Sequence, residues 1–223
     1  MKKYILLAVP IIFYGEGLLF YLSNLHLYFP IILQVLLNIS IITAFIIFLL
    51  KRTRIQNVFD WLIGISFSVY LCVLYRNTVE TLFFFDKVHY STKSLNFIIH
   101  SVNLIPIRGI IEVLHNNPSP LFQIVGNAFM LTPFAFALLY FEWAKSNKQA
   151  IWYSFLCTVL IEVVQFLQSI LGSIFGIGMG RSLDIDDVIL NTIGAVVGVG
   201  CYLLWVKLKK LVSQKEKNTD VTF

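Results

Sequence analysis

The sequence predicts an all-α protein: a polytopic transmembrane helical bundle of about six spans, with an interfacial or re-entrant segment in one long outer loop. Three observations lead there. The 223 residues are 58% hydrophobic and 13% charged, with a mean hydropathy of +0.80, whereas a soluble domain carries about 25% charged residues. Several apolar runs reach the roughly 20 residues that a helix needs to cross about 30 Å of hydrocarbon. Runs such as "IIFLL" and "GAVVGVG" do not alternate, as strands of a transmembrane barrel would.

The expected spans are Tyr4–Leu22, Phe29–Leu50, Val58–Leu74, Leu121–Phe141, Ile151–Leu171 and Val188–Val206. The first follows a basic start like that of a signal peptide, but no small-residue cleavage pattern follows its apolar core, so it is expected to be retained. Cys72, Cys157 and Cys201 fall inside spans with no CxxC and no nearby histidine. Buried thiols are expected there, not a disulfide framework or a zinc site.

Lysines and arginines set the orientation, because short loops rich in them stay cytoplasmic. Lys2, Lys3, Lys51, Arg52, Arg54, Lys145, Lys148 and the run from Lys207 to Lys217 all fall on one side of six spans. A multi-pass protein of the cell membrane with both termini cytoplasmic is therefore expected. The net charge of +5 is accounted for by these juxtamembrane residues, which make anionic membrane lipids the expected partners. No nucleic-acid recognition motif accompanies the charge. The closing "SQKEKNTDVTF" reads as a disordered tail.

The long connection from Tyr75 to Pro120 contains "SLNFIIHSVNLIPIRGIIEVL". Pro106 and Gly109 would interrupt a spanning helix, hence the interfacial or re-entrant reading. Polar residues then mark a candidate pocket on the outer side. In "RSLDIDDVILN", Asp184, Asp187, Asn191, Gly194 and Gly198 follow one helical stripe that ends in small residues suited to close helix approach. Asp186 points off that stripe and is available as a cap. Glu162, Gln165 and Ser169 share a face of the fifth span. A carboxylate there costs several kcal/mol unless it is paired, on the order of 2.5–3.5 on insertion scales. Asn103 and Arg108 in the loop and Asn127 in the fourth span lie on the same outer half. With Glu162, Gln165, Arg181, Asp184, Asp187 and Asn191 they form the candidate pocket lining, in which Arg108 and Arg181 would pair a carboxylate or fork onto a phosphate. His26, His89, His100 and His115 lack metal-ligand spacing. The glycines of "GSIFGIGMGR" follow no strand and precede no Gly-Lys-Ser/Thr, so they read as a hinge.

"NLIPIR", "GNAFMLTPF", "IEVVQ" and "RSLDIDDVILNTIGAVVG" occur in an order and spacing that resemble the VanZ-like family, membrane proteins associated with resistance to the glycopeptide teicoplanin. The resemblance covers roughly residues 58–206. It makes Asn103, Pro106, Asn127, Pro133, Glu162, Gln165, Arg181, Asp184, Asp187, Asn191 and Gly194 positions of the family pattern. Ile107 stands where a phenylalanine is usual, and Ala135 where a glycine commonly follows Pro-x. The chain then divides into two N-terminal helices (1–57), a VanZ-like membrane domain (58–206) and a basic polar tail (207–223).

Two functions from different classes follow. The first is a binding or resistance protein whose outward pocket engages a lipid headgroup, a lipid-linked cell-wall precursor or a glycopeptide. The second is an intramembrane enzyme acting on a lipid-linked phosphate or sugar, in which Glu162, Asp184 and Asp187 hold a hard divalent cation or one of them is a general base. No nucleophile with an adjacent base is recognisable, and no inverted repeat points to a transporter. The sequence identifies neither a cofactor nor a protein partner.

Overall fold

The computed structural model describes residues 2–23, 25–81, 102–174 and 183–220. A 3-10 turn, Lys2–Leu7, leads into α1 (Ala8–Leu22), α2 (Leu25–Lys51), α3 (Val58–Thr78), α4 (Arg108–Asn116), α5 (Pro120–Met130), α6 (Thr132–Tyr140), α7 (Asn147–Ile174) and α8 (Ile185–Asp220). Among the described residues there is no strand, only an isolated bridge between Asn103 and Asp184. The protein is an all-α polytopic bundle, as its composition predicts.

Five helical stretches are long and apolar enough to cross a membrane: Tyr28–Lys51, Val58–Thr78, Pro120–Tyr140, Asn147–Ser173 and Ile185–Val212. The first expected span differs. Its α-helix has 15 residues, about 22 Å at 1.5 Å per residue, short of a roughly 30 Å core. The 3-10 turn extends it, and Lys3 Nζ donates to the carbonyls of Leu50 and Thr53, at and just beyond the C-terminal end of α2. Further along, Arg76 sits over the Phe13 ring, so the segment lies alongside most of α3.

The fourth expected span is two helices. Leu131 leaves helical geometry at φ −94°, ψ 6°, and Pro133 in the next turn has no N–H with which to continue the ladder. The Tyr70 hydroxyl donates to the carbonyl of Met130 across from α3, replacing a bond that the break removes. The expected disordered tail also differs: α8 runs on to Asp220. After Gly200 the sequence has neither glycine nor proline, and Lys, Leu, Gln and Glu are good helix formers.

The two ends of the bundle contrast in chemistry. At the basic end, α3 starts with a capping box in which Asn57 and Asp60 each accept the other's backbone N–H. Tyr140 at the end of α6 donates to Asp60 at 2.8 Å. The opposite, acidic end gathers the C-terminus of α3, the loop through Asn103, the start of α5, the end of α7 and the start of α8. The apolar core between them includes Ile42, Phe67, Leu71, Leu131, Phe134, Leu138 and Val199, and α8 packs on α5, α6 and α7.

Candidate functional site

The acidic end is organised by the start of α8. Asp184 precedes the helix in extended backbone, where Asn103 N–H donates to the Leu183 carbonyl at 2.9 Å and Ile185 N–H to the Asn103 carbonyl at 3.0 Å. This two-bond bridge fixes the loop against the helix start. The Asn103 amide donates to Asp184 Oδ1 at 2.8 Å, and Asp186 N–H donates to the same oxygen at 2.9 Å. Gly109 leaves room for the arrangement, since a Cβ there would lie 2.3 Å from Asp184 Oδ2.

Asp186 has a larger role than a helix-end cap. It is 2% exposed, and its two carboxylate oxygens accept the N–H groups of Ile107 at 2.6 Å and Ile110 at 3.2 Å. Those amides lie at the N-terminus of α4, where backbone donors have no partner within the helix and a negative charge is favoured. Ile107 itself has φ 73°, a region uncommon for any non-glycine residue and strained for a β-branched one. The carboxylate holds it there.

Glu162, 3% exposed, approaches the same turn from α7. Its Oε2 accepts Asp184 N–H at 3.2 Å. One turn earlier on α7, Thr158 accepts the Asn191 amide at 2.9 Å; the Asn191 side-chain oxygen is buried without a partner among the described residues. Asp187 meets Asn127 of α5 by a side-chain hydrogen bond. Below it the small-residue stripe closes the seam: a Cβ on Gly194 would lie 2.6 Å from the Ala128 carbonyl oxygen, and one on Gly198 would lie 2.3 Å from that of Thr132. The Gly194 carbonyl accepts the Thr132 hydroxyl at 2.8 Å.

Asn103, Asn127, Glu162, Asp184, Asp187 and Asn191 are thus gathered along the start of α8. Three other expected residues stand apart. Gln165 donates to the Thr78 carbonyl at 3.1 Å, tying α7 to the end of α3. Arg108 lies on the surface in an i, i+4 ion pair with Glu112 at 2.9 Å, both side chains more than half exposed. Arg181 lies outside the described residues, as do His89, His100 and most of the glycine-rich stretch. Among the described residues no three carboxylate, histidine or cysteine groups converge as a metal ion would need.

Two polar residues that the sequence pattern leaves aside are central in the structure. Asp186 is one. Asn38, 1% exposed in α2, is the other: its amide donates to the Thr81 carbonyl at 3.0 Å, and its oxygen accepts Thr81 N–H at 3.0 Å and the Tyr75 hydroxyl at 2.6 Å. An asparagine inside an apolar span is itself the signal that could have found it, because hydrocarbon tolerates such a group only when it is satisfied. Nearby, burial pushes the Glu80 carboxyl above the ordinary glutamate range, with Arg76 acting the other way.

The VanZ/LLP1 family model matches residues 67–206, well over half of the chain. The chain belongs to the VanZ/LLP1 family. Comparison with curated proteins and with solved structures gives no match. The matched stretch of this VanZ/LLP1 protein holds the entire polar assembly, while α1 and α2 precede it. Ile107 and Ala135, the two positions where the resemblance implies other residues, both have structural settings. Ile107 is the strained residue held by Asp186, and Ala135, fully buried, faces Gly198, which supplies the missing space.

Proposed function

We propose that this VanZ/LLP1 protein sits in the cell membrane with both termini cytoplasmic and lowers susceptibility to teicoplanin-type glycopeptides. It does so by engaging a lipid headgroup, a lipid-linked cell-wall precursor or the glycopeptide at its acidic end. The observation that supports this reading above others is Glu162, a carboxylate 3% exposed near the middle of a long apolar helix. Such a residue costs several kcal/mol, on the order of 2.5–3.5, unless it is paired or hydrogen-bonded, and marks a functional site by default. Its neighbours Asp184 and Asp187 make the surroundings rich in hydrogen-bond acceptors, and Arg108 is engaged elsewhere. That chemistry favours a ligand presenting hydroxyls, amides or amines. Sugars and peptides of the cell wall and of glycopeptides present such donors.

The test is the teicoplanin susceptibility of a host expressing the unaltered chain, Glu162→Gln or Asp187→Asn, with the amount of protein in the membrane measured in each case. Both substitutions are expected to return susceptibility towards that of the host without the protein. Undiminished protection from both variants at equal membrane amounts would sink the proposal.

A further inference from the structure

A groove of about 1020 Å³ opens at the basic end, far from the acidic assembly. It is bounded by the α2 to α3 connection, the start of α3, the end of α6 and the later turns of α8. Arg52, Arg54, Lys209 and Lys210 line it, with Tyr202 and Trp205 on the α8 side. Its acidic residues are Asp60 and Glu142. Asp60 is already occupied: its carboxylate accepts the N–H groups of Gln56 at 2.7 Å and Asn57 at 3.2 Å and the Tyr140 hydroxyl at 2.8 Å. Among the described residues the single ion pair is Arg108 with Glu112 at the other end of the bundle, so none of the four groove cations is neutralised by a carboxylate.

Four unpaired cations around a concave space of this size make an anion site, not merely a topological signal. Specific ligand clefts run to about 300–1,000 Å³, so a headgroup fits. Trp and Tyr side chains sit at the headgroup level of a bilayer, and Tyr202 and Trp205 lie on the helix that carries Lys209 and Lys210, within one to two turns of them. We infer that this groove binds the phosphodiester headgroup of an anionic glycerophospholipid. Arg54, Lys209 and Lys210 face its phosphate, and Tyr202 and Trp205 face its glycerol and the first acyl carbons. Arginine supplies a planar fork for phosphate oxygens and lysine a point charge.

The test uses the full chain in neutral detergent, with phosphatidylglycerol, phosphatidylcholine or soluble glycerol 3-phosphate added and thermal stability and bound lipid both measured. Phosphatidylglycerol is expected to bind and stabilise, and the other two to do neither. Arg54→Gln combined with Lys209→Gln should weaken phosphatidylglycerol binding by roughly 30-fold, from about 1 kcal/mol for each basic side chain near the lipid phosphate. Lys145→Gln combined with Lys148→Gln, at the same end but outside the groove, should leave binding unchanged. Equal loss from both pairs would mean diffuse surface attraction and overturn the site. Equal binding of phosphatidylcholine would remove the charge selectivity, and equal stabilisation by glycerol 3-phosphate would replace the lipid by a free phosphate. A readout that needs no charge variant is quenching of Trp205 by brominated lipid, taken as the difference between the unaltered chain and Trp205→Phe. Stronger quenching by the brominated phosphatidylglycerol than by the brominated phosphatidylcholine is expected, and equal quenching would also overturn the proposal.

Discussion

The acidic and basic ends of this bundle use charge in opposite ways. At the acidic end carboxylates are consumed by the protein's own backbone: Asp186 holds two α4 amides, Glu162 accepts the Asp184 amide, and Asp184 accepts Asn103 and the Asp186 amide. At the basic end Arg52, Arg54, Lys209 and Lys210 surround open space. Removing the Asp186 carboxylate from the first end should therefore damage the fold, whereas removing a cation from the second should damage what the fold can bind.

The largest expected effect is at Asp186. Asp186→Ala leaves two part-buried N–H groups without their acceptor, and hydrogen bonds to charged groups are worth about 1.5–3 kcal/mol each. A loss of about 3 kcal/mol or more is expected in denaturant unfolding of the purified protein, together with early protease cleavage around Ile107. A loss no greater than that of an exposed charge would dissolve the contrast between the ends. Gly198→Ala comes next. Its Cβ meets a main-chain carbonyl that cannot rotate away, so α8 must move from α6 at a cost of about 1–3 kcal/mol, readable as a fall in melting temperature. Ile107→Gly is expected to act in the opposite direction. It removes left-handed strain of order 1–3 kcal/mol for a non-glycine residue, less what glycine gives back through unfolded-state entropy, so it should stabilise by about 1 kcal/mol. Destabilisation there would show that the isoleucine side chain matters more than its backbone angle. Arg54→Gln is the smallest: an exposed substitution of this kind moves stability by no more than about 0.5 kcal/mol. A larger fall would mean that the basic end, too, uses its charge structurally.

Much of this fold is legible in the amino-acid sequence. Hydropathy places the five long spans to within a few residues, because in hydrocarbon every backbone polar group must be satisfied within a helix. The small-residue stripe at Gly194 and Gly198 follows from spacing, and both glycines lie against backbone carbonyls. The acidic assembly is harder. Counting helical turns from Asp184 sends Asp186 to the wrong face, because the helix starts at Ile185 and Asp184 belongs to an extended bridge with Asn103. A periodicity of 3.6 cannot be carried across such a junction. Arg108 is misplaced for a related reason. Its partner Glu112 lies four residues along the same short helix, a local pairing that the sequence displays but that a search for distant partners overlooks. The break at Leu131 is visible only as Pro133, since proline within an apolar span is also tolerated as a kink. The basic groove is hidden because its cations also report orientation, and that use exhausts their apparent meaning.

The tether of Asp186 to Ile107 joins residues 79 apart in the chain, and that of Asn103 to Asp184 joins residues 81 apart. Contacts of such separation close only after the intervening chain has been placed. The loop through Asn103 and α4 leaves the ribosome before α5, α6, α7 and α8, yet its fastener arrives with the first turn of α8. Assembly of the acidic end is therefore a late event in biosynthesis, and a chain halted before α8 carries this surface helix with nothing to hold it down.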